Sequence, residues 1–127
     1  MHRLWAGALV LAGACAAVQS ADDRLREQLV GKWAEAHHLN NAHLEQSIDL
    51  SRDGSLRIER ALHDATGTTR TSLQGRWRIE NGDFVIYDAS GPCSKQCRAR
   101  VVSVTDWEWV MEEAPNAHEF RAWRYPK

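Results

Sequence analysis

From Trp33 to Tyr125 the sequence alternates apolar and polar residues in eight short runs, and no segment between them is long enough for a crossover helix. The runs cover 33–38, 43–50, 56–63, 68–80, 83–89, 98–104, 107–112 and 118–125. In the second, Leu44, Gln46, Ile48 and Leu50 share one face while Glu45, Ser47 and Asp49 share the other. In the fourth, Leu73, Gly75, Trp77 and Ile79 alternate with Gln74, Arg76 and Arg78. Turn residues punctuate the series: Asp53-Gly54 and Asn81-Gly82 suit the positive-φ positions of tight hairpins, and Asp64 to Gly67 turns the third run into the fourth. Short connections make sequential neighbours antiparallel, and eight half-apolar strands in sequence order remove their edges by closing. The expected fold is therefore all-β, an eight-stranded antiparallel up-and-down barrel, with an open two-sheet sandwich as the alternative. A barrel of this size is either filled by side chains or holds one small ligand.

The first thirty residues follow a different rule. Arg3 is the only formal charge before Asp22, and residues 4–18 are apolar or small, an apolar run of roughly 11–15 residues that has the build of a secretory signal peptide. Gln19, Ser20, Asp22 and Asp23 end that run before the ~20 residues a membrane span requires. Two cleavage sites compete. Leu11-Ala12-Gly13-Ala14-Cys15 resembles the lipobox of bacterial lipoproteins, which implies lipidation of Cys15; cleavage after Ser20 is the other reading. Either way the expected division is a signal peptide over 1–20 and a single domain over 21–127. Residues 22–30 read as one short helix: Asp22 and Asp23 suit its N-terminal end, Leu25 and Leu29 share a face, and Gly31 stops it.

Export sets the redox expectation. An oxidising compartment lets Cys93 and Cys97 pair, and closing that five-residue loop contributes about 2 kcal/mol by chain entropy. A redox dithiol or a pair of metal ligands is the rival reading, but three residues separate the sulfurs and they follow Gly91-Pro92 between two strand-like runs. A structural clip fits better.

Three short motifs add a resemblance. The Gly31-Lys32-Trp33 start after a short helix, the Thr105-Asp106-Trp107 turn, and an Arg in the last run, Arg121 or Arg124, together resemble the lipocalin-like small barrels of bacteria. That resemblance implies a barrel closed by an Arg lying across Trp33, a contact worth about 1–2 kcal/mol when desolvated.

Composition narrows the function classes. Sixteen basic against seventeen acidic residues leave a net charge of −1, and no basic stripe offers a footprint for nucleic acid. Six Trp residues are the unusual feature. Trp33, Trp77, Trp107 and Trp109 are assigned to the interior, either as core or as walls of a ligand pocket. Gln46 and Arg60 occupy apolar registers and are the best candidates to orient a ligand; as strand-end residues they would carry no function. His37, His38, His43 and His63 lack a recognised ligand spacing and read as solvated loop and strand-end residues, so no metal is expected. The middle-strand arginines Arg57, Arg60, Arg70, Arg76, Arg78, Arg98 and Arg100 are interleaved with Glu59, Glu80 and Asp83, the pattern of a mixed solvated surface.

No nucleophile elbow, phosphate loop or zinc-protease helix is present, and neither catalytic residues nor a cofactor are expected. The leading expectation is an exported, periplasmic, lipocalin-like binding protein for a small hydrophobic or amphipathic ligand. Trp33, Gln46, Arg60, Trp77 and Trp109 would form its site, and it would meet the outer membrane only through a lipid on Cys15. The alternatives are a protein-binding module, an inhibitor of a lytic enzyme or protease acting through the 90–97 loop, and a structural envelope lipoprotein.

Overall fold

The computed structural model describes residues 21–113 and 118–125. The segment read as a signal peptide, with Cys15, lies outside the described residues, as does the turn over 114–117. Eight strands follow a helix over 21–29: β1 Gly31–Leu39, β2 Ala42–Leu50, β3 Ser55–Asp64, β4 Gly67–Glu80, β5 Asp83–Tyr87, β6 Cys97–Val104, β7 Glu108–Glu113 and β8 His118–Arg124. Each pairs antiparallel with its sequence neighbours, and β1 meets β8, so the sheet closes into an up-and-down barrel. The closed topology replaces the sandwich alternative and is consistent with a lipocalin-like fold.

Local chemistry explains where the strands stop. Asn81 and Gly82 both adopt positive φ, 54° and 83°, the backbone of a two-residue hairpin turn. Asp88 turns to φ 50°, which ends β5 at Tyr87, two residues before the alternation ends. At the start of β7 the Thr105 hydroxyl accepts from the N–H groups of Trp107 and Glu108, holding Trp107 in the turn. Trp107 is consequently 72% exposed, which corrects its assignment to the interior. The alternation that places Trp109 and Met111 inward begins only at Glu108.

One end of the barrel is capped. The helix lies across it and buries Leu29 completely, and its Asp22 carboxylate accepts the N–H groups of Asn81 (2.9 Å) and Gly82 (3.0 Å) in the β4–β5 turn. Arg26 donates to the Arg52 carbonyl at 2.7 Å and stacks its guanidinium 4.9 Å from the Trp77 ring centre. Beneath the helix, Trp33, Trp77, Phe84 and Trp109 form a chain of edge-to-face and tilted contacts, with centroids 4.9 to 6.2 Å apart. Trp33 Nε1 donates to the Leu29 carbonyl and Trp77 Nε1 to that of Ser51, so these two indoles are buried with their polar atoms satisfied.

Arg124 is the closing arginine. Its guanidinium sits 4.2 Å from the Trp33 ring centre and donates to the carbonyls of Gln28 (2.6 Å), Val30 (3.0 Å) and Asp106 (3.1 Å). Arg121, the other candidate, instead pairs on the outer face with Glu119 and Glu108. Gly31 makes the arrangement possible: it takes φ +130°, and a Cβ there would lie 2.6 Å from Arg124 Nη1.

Candidate functional site

The opposite end has no α-helix across it among the described residues. Arg60, Thr69 and Thr71 lie in inward register there yet are exposed, as expected of an open mouth. The β1–β8 seam is short: its register pairs are Trp33 with Arg124 and Ala34 with Trp123, both towards the capped end. Among the described residues, β1 from Glu35 onward has register partners only on β2.

Register across β1, β2 and β3 builds the inner wall in levels. Trp33, Ile48 and Ile58 face one another at one level; Glu35, Gln46 and Arg60 occupy the next; His37, Leu44 and Leu62 occupy the one above. The lower level is apolar and packed. The middle one is a continuous polar row. Glu35 is only 6% exposed, and its carboxylate accepts from His37 Nε2 through one oxygen and from Gln46 Nε2 (2.9 Å) through the other. Gln46 Oε1 in turn accepts from Arg60 Nε, whose side chain reaches the solvent. A carboxylate taken out of water is costly unless it is hydrogen-bonded, and these partners supply the bonds.

Gln46 and Arg60, singled out by their apolar registers, are thus brought together, and Trp33, Trp77 and Trp109 form the floor beneath them. Glu35 and His37 were missed by the sequence reading. The signal was present in the first strand, because alternation from an inward Trp33 turns Glu35 and His37 inward as well. His37 therefore lines the mouth on its inward side while its side chain stays 37% exposed near the end of β1, as a solvated strand-end residue does. Trp109 Nε1 is the one buried side-chain donor without a protein partner among the described residues.

The outer wall has a different character. Arg57 pairs with Glu59, Arg78 and Arg98 with Glu80, Arg98 also with Asp83, and Arg100 with Glu112, at 2.8 to 3.1 Å. Hydrogen bonds from Arg98 first, then Arg78, hold the Glu80 carboxyl below its ordinary range. This is the mixed surface that interleaved charges imply. In the β5–β6 connection, Cys93 and Cys97 are bonded, with Cα atoms 5.2 Å apart, and a single 3₁₀ turn over Gly91–Cys93 precedes the bridge. Both cysteines pack partly against the core, while Ser90, Gly91, Ser94, Lys95 and Gln96 are exposed. Compared with known proteins, the chain matches no family model and no curated protein.

Proposed function

We propose that this protein is an exported, lipocalin-like binding protein that takes a small amphipathic molecule through the open mouth of the barrel, and that it is not an enzyme. The observation that carries this reading is the inward row His37–Glu35–Gln46–Arg60 above a floor of packed aromatic rings. An apolar wall with a few convergent polar groups is the usual make-up of a small-molecule site. Leu44, Leu62, Met111 and Phe120 face inward at the levels of the row and above it, and would meet the apolar part of a ligand. Gln46 and the exposed guanidinium of Arg60 would meet a polar or anionic head. The capped half contributes no space, because three indoles and Phe84 fill it. Export to the periplasm, with a lipid on Cys15 as its only membrane link, is part of the same proposal and rests on residues 1–20.

The test is titration of the purified protein with an anionic amphipathic fluorophore such as 1-anilinonaphthalene-8-sulfonate, and with a neutral apolar dye for comparison. Saturable binding of the anionic probe, weakened about tenfold in Arg60→Ala (one charge-assisted contact) and left intact for the neutral dye, is the expected result. No saturable binding of either probe by the folded protein would overturn it. A second reading is favoured by the disulfide-braced 90–97 loop: a rigid exposed loop suits insertion into a protein partner's cleft, as an inhibitor would. Specific capture of one envelope protein that is lost when Lys95 and Gln96 are replaced by Ala would move the assignment there.

A further inference from the structure

The β1–β2–β3 wall carries a second cluster, on its outer side and independent of the lumen. His38 is the register partner of His43, and His43 of His63, so three imidazoles stand at one level on three adjacent strands. Their rings lie 4.7 Å and 6.0 Å apart, centre to centre. Beside His43 and His63 is an open depression of about 440 Å³ between the tips of the β1–β2 and β3–β4 hairpins, lined in part by Asn40, Asn41 and Asp64.

Two distances define the chemistry. His38 Nδ1 and His43 Nδ1 face each other at 3.3 Å. Two imidazole nitrogens on one tetrahedral ion, each at about 2.0–2.1 Å, are separated by about 3.3–3.4 Å. The second distance fixes the tautomer. His43 Nε2 lies 3.1 Å from Glu45 Oε1, and an ionised carboxylate only accepts, so this nitrogen carries the proton. A neutral His43 then turns the lone pair of Nδ1 towards His38. A carboxylate behind a histidine is the arrangement that orients metal-ligating imidazoles and raises their basicity. Both His63 nitrogens are turned away from the pair, Nδ1 2.9 Å from the Thr68 hydroxyl and Nε2 3.6 Å from the second Glu45 oxygen.

We propose that His38 and His43 form a two-imidazole chelate for a divalent transition ion, with Glu45 as the residue that positions His43. Among the described residues no group of three His, Cys, Asp or Glu donors converges, so water completes the coordination. Without the ion, His38 donates its Nδ1 proton to His43 Nδ1. On binding, that proton moves through solvent to Nε2 of the exposed His38 side chain, and both Nδ1 lone pairs face the ion. The tetrahedral separation matches zinc(II), whereas copper(II) and nickel(II) prefer square-planar sites whose neighbouring nitrogens lie closer together.

Calorimetric titration of the purified protein with a copper(II), nickel(II) or zinc(II) salt alone tests the assignment, with circular dichroism to verify that each variant folds. One saturable zinc(II) ion per chain is expected. His38→Asn and His43→Asn should each remove saturable binding, Glu45→Gln should weaken it about 10–100-fold, and His63→Asn should leave it intact. Absence of saturable binding by the folded wild type, or binding that survives either His38→Asn or His43→Asn, overturns the proposal. None of these residues faces the lumen, so dye binding in the same variants reports separately on the ligand-binding reading.

Discussion

The two ends of this barrel solve opposite problems with the same strands. At the capped end, Trp109 Nε1 apart, the polar groups that meet the core are met by other protein groups: Trp33 and Trp77 donate to backbone carbonyls, Asp22 caps a hairpin, and Arg124 joins the helix, the β6–β7 turn and Trp33. At the open end a nearly buried carboxylate leads through Gln46 to an arginine in water. The capped end holds the fold together, whereas the open end carries a polar row that a filled barrel of this size does not need. Stability and recognition are separated along the barrel axis.

Substitutions that strike the two ends should differ in size and sign. Trp33→Ala removes the largest buried contact at the capped end and should cost about 3–5 kcal/mol, read as a fall in the urea midpoint. Arg124→Lys keeps the charge but cannot reach three carbonyls in one plane, and should cost about 2–3 kcal/mol; recovery of wild-type stability by lysine would show that charge alone closes the seam. Replacing both Cys93 and Cys97 by Ser should cost about 2 kcal/mol, a smaller loss because the loop is short.

At the open end the sign changes. Glu35→Leu combined with Gln46→Leu should leave stability within about 1 kcal/mol of wild type or raise it, since apolar residues carry no desolvation cost, while weakening the anionic probe. A loss comparable to that of Trp33→Ala would show that the row is structural and dissolve the contrast. The smallest effect belongs to the outer wall. Hydrogen bonds from Arg98 and Arg78 depress the folded-state pKa of Glu80, so its contribution is complete above the unfolded carboxylate range and is lost as pH falls through the folded value. The stability difference between wild type and Arg98→Ala should therefore be present at neutral pH and shrink on acidification.

Much of this is legible in the sequence. Alternation located all eight strands to within about two residues, and the Asn81-Gly82 and Asp53-Gly54 pairs marked their hairpins. Gln46 stood out because it interrupts an apolar face. Trp107 was misplaced because the alternation was extended one residue into a turn whose hydrogen bonds to Thr105 impose their own geometry. Leu39 and Ala42 flank the β1–β2 turn as register partners. Placing that turn at Asn40-Asn41 would have set His38 opposite His43.

Local pattern by itself determined the eight strands, their antiparallel order, the helix ahead of them and the cysteine pair. Each of these depends on residues close in sequence: a period of two, a turn dipeptide, a five-residue loop. Tertiary structure decided the rest. Arg124 rather than Arg121 lies on Trp33 because β8 meets β1 in a particular register ninety residues away in sequence. Glu35, Gln46 and Arg60 form one row, and His38, His43 and His63 another, because three strands align at those levels. A slip of one residue would turn every one of those side chains to the opposite face.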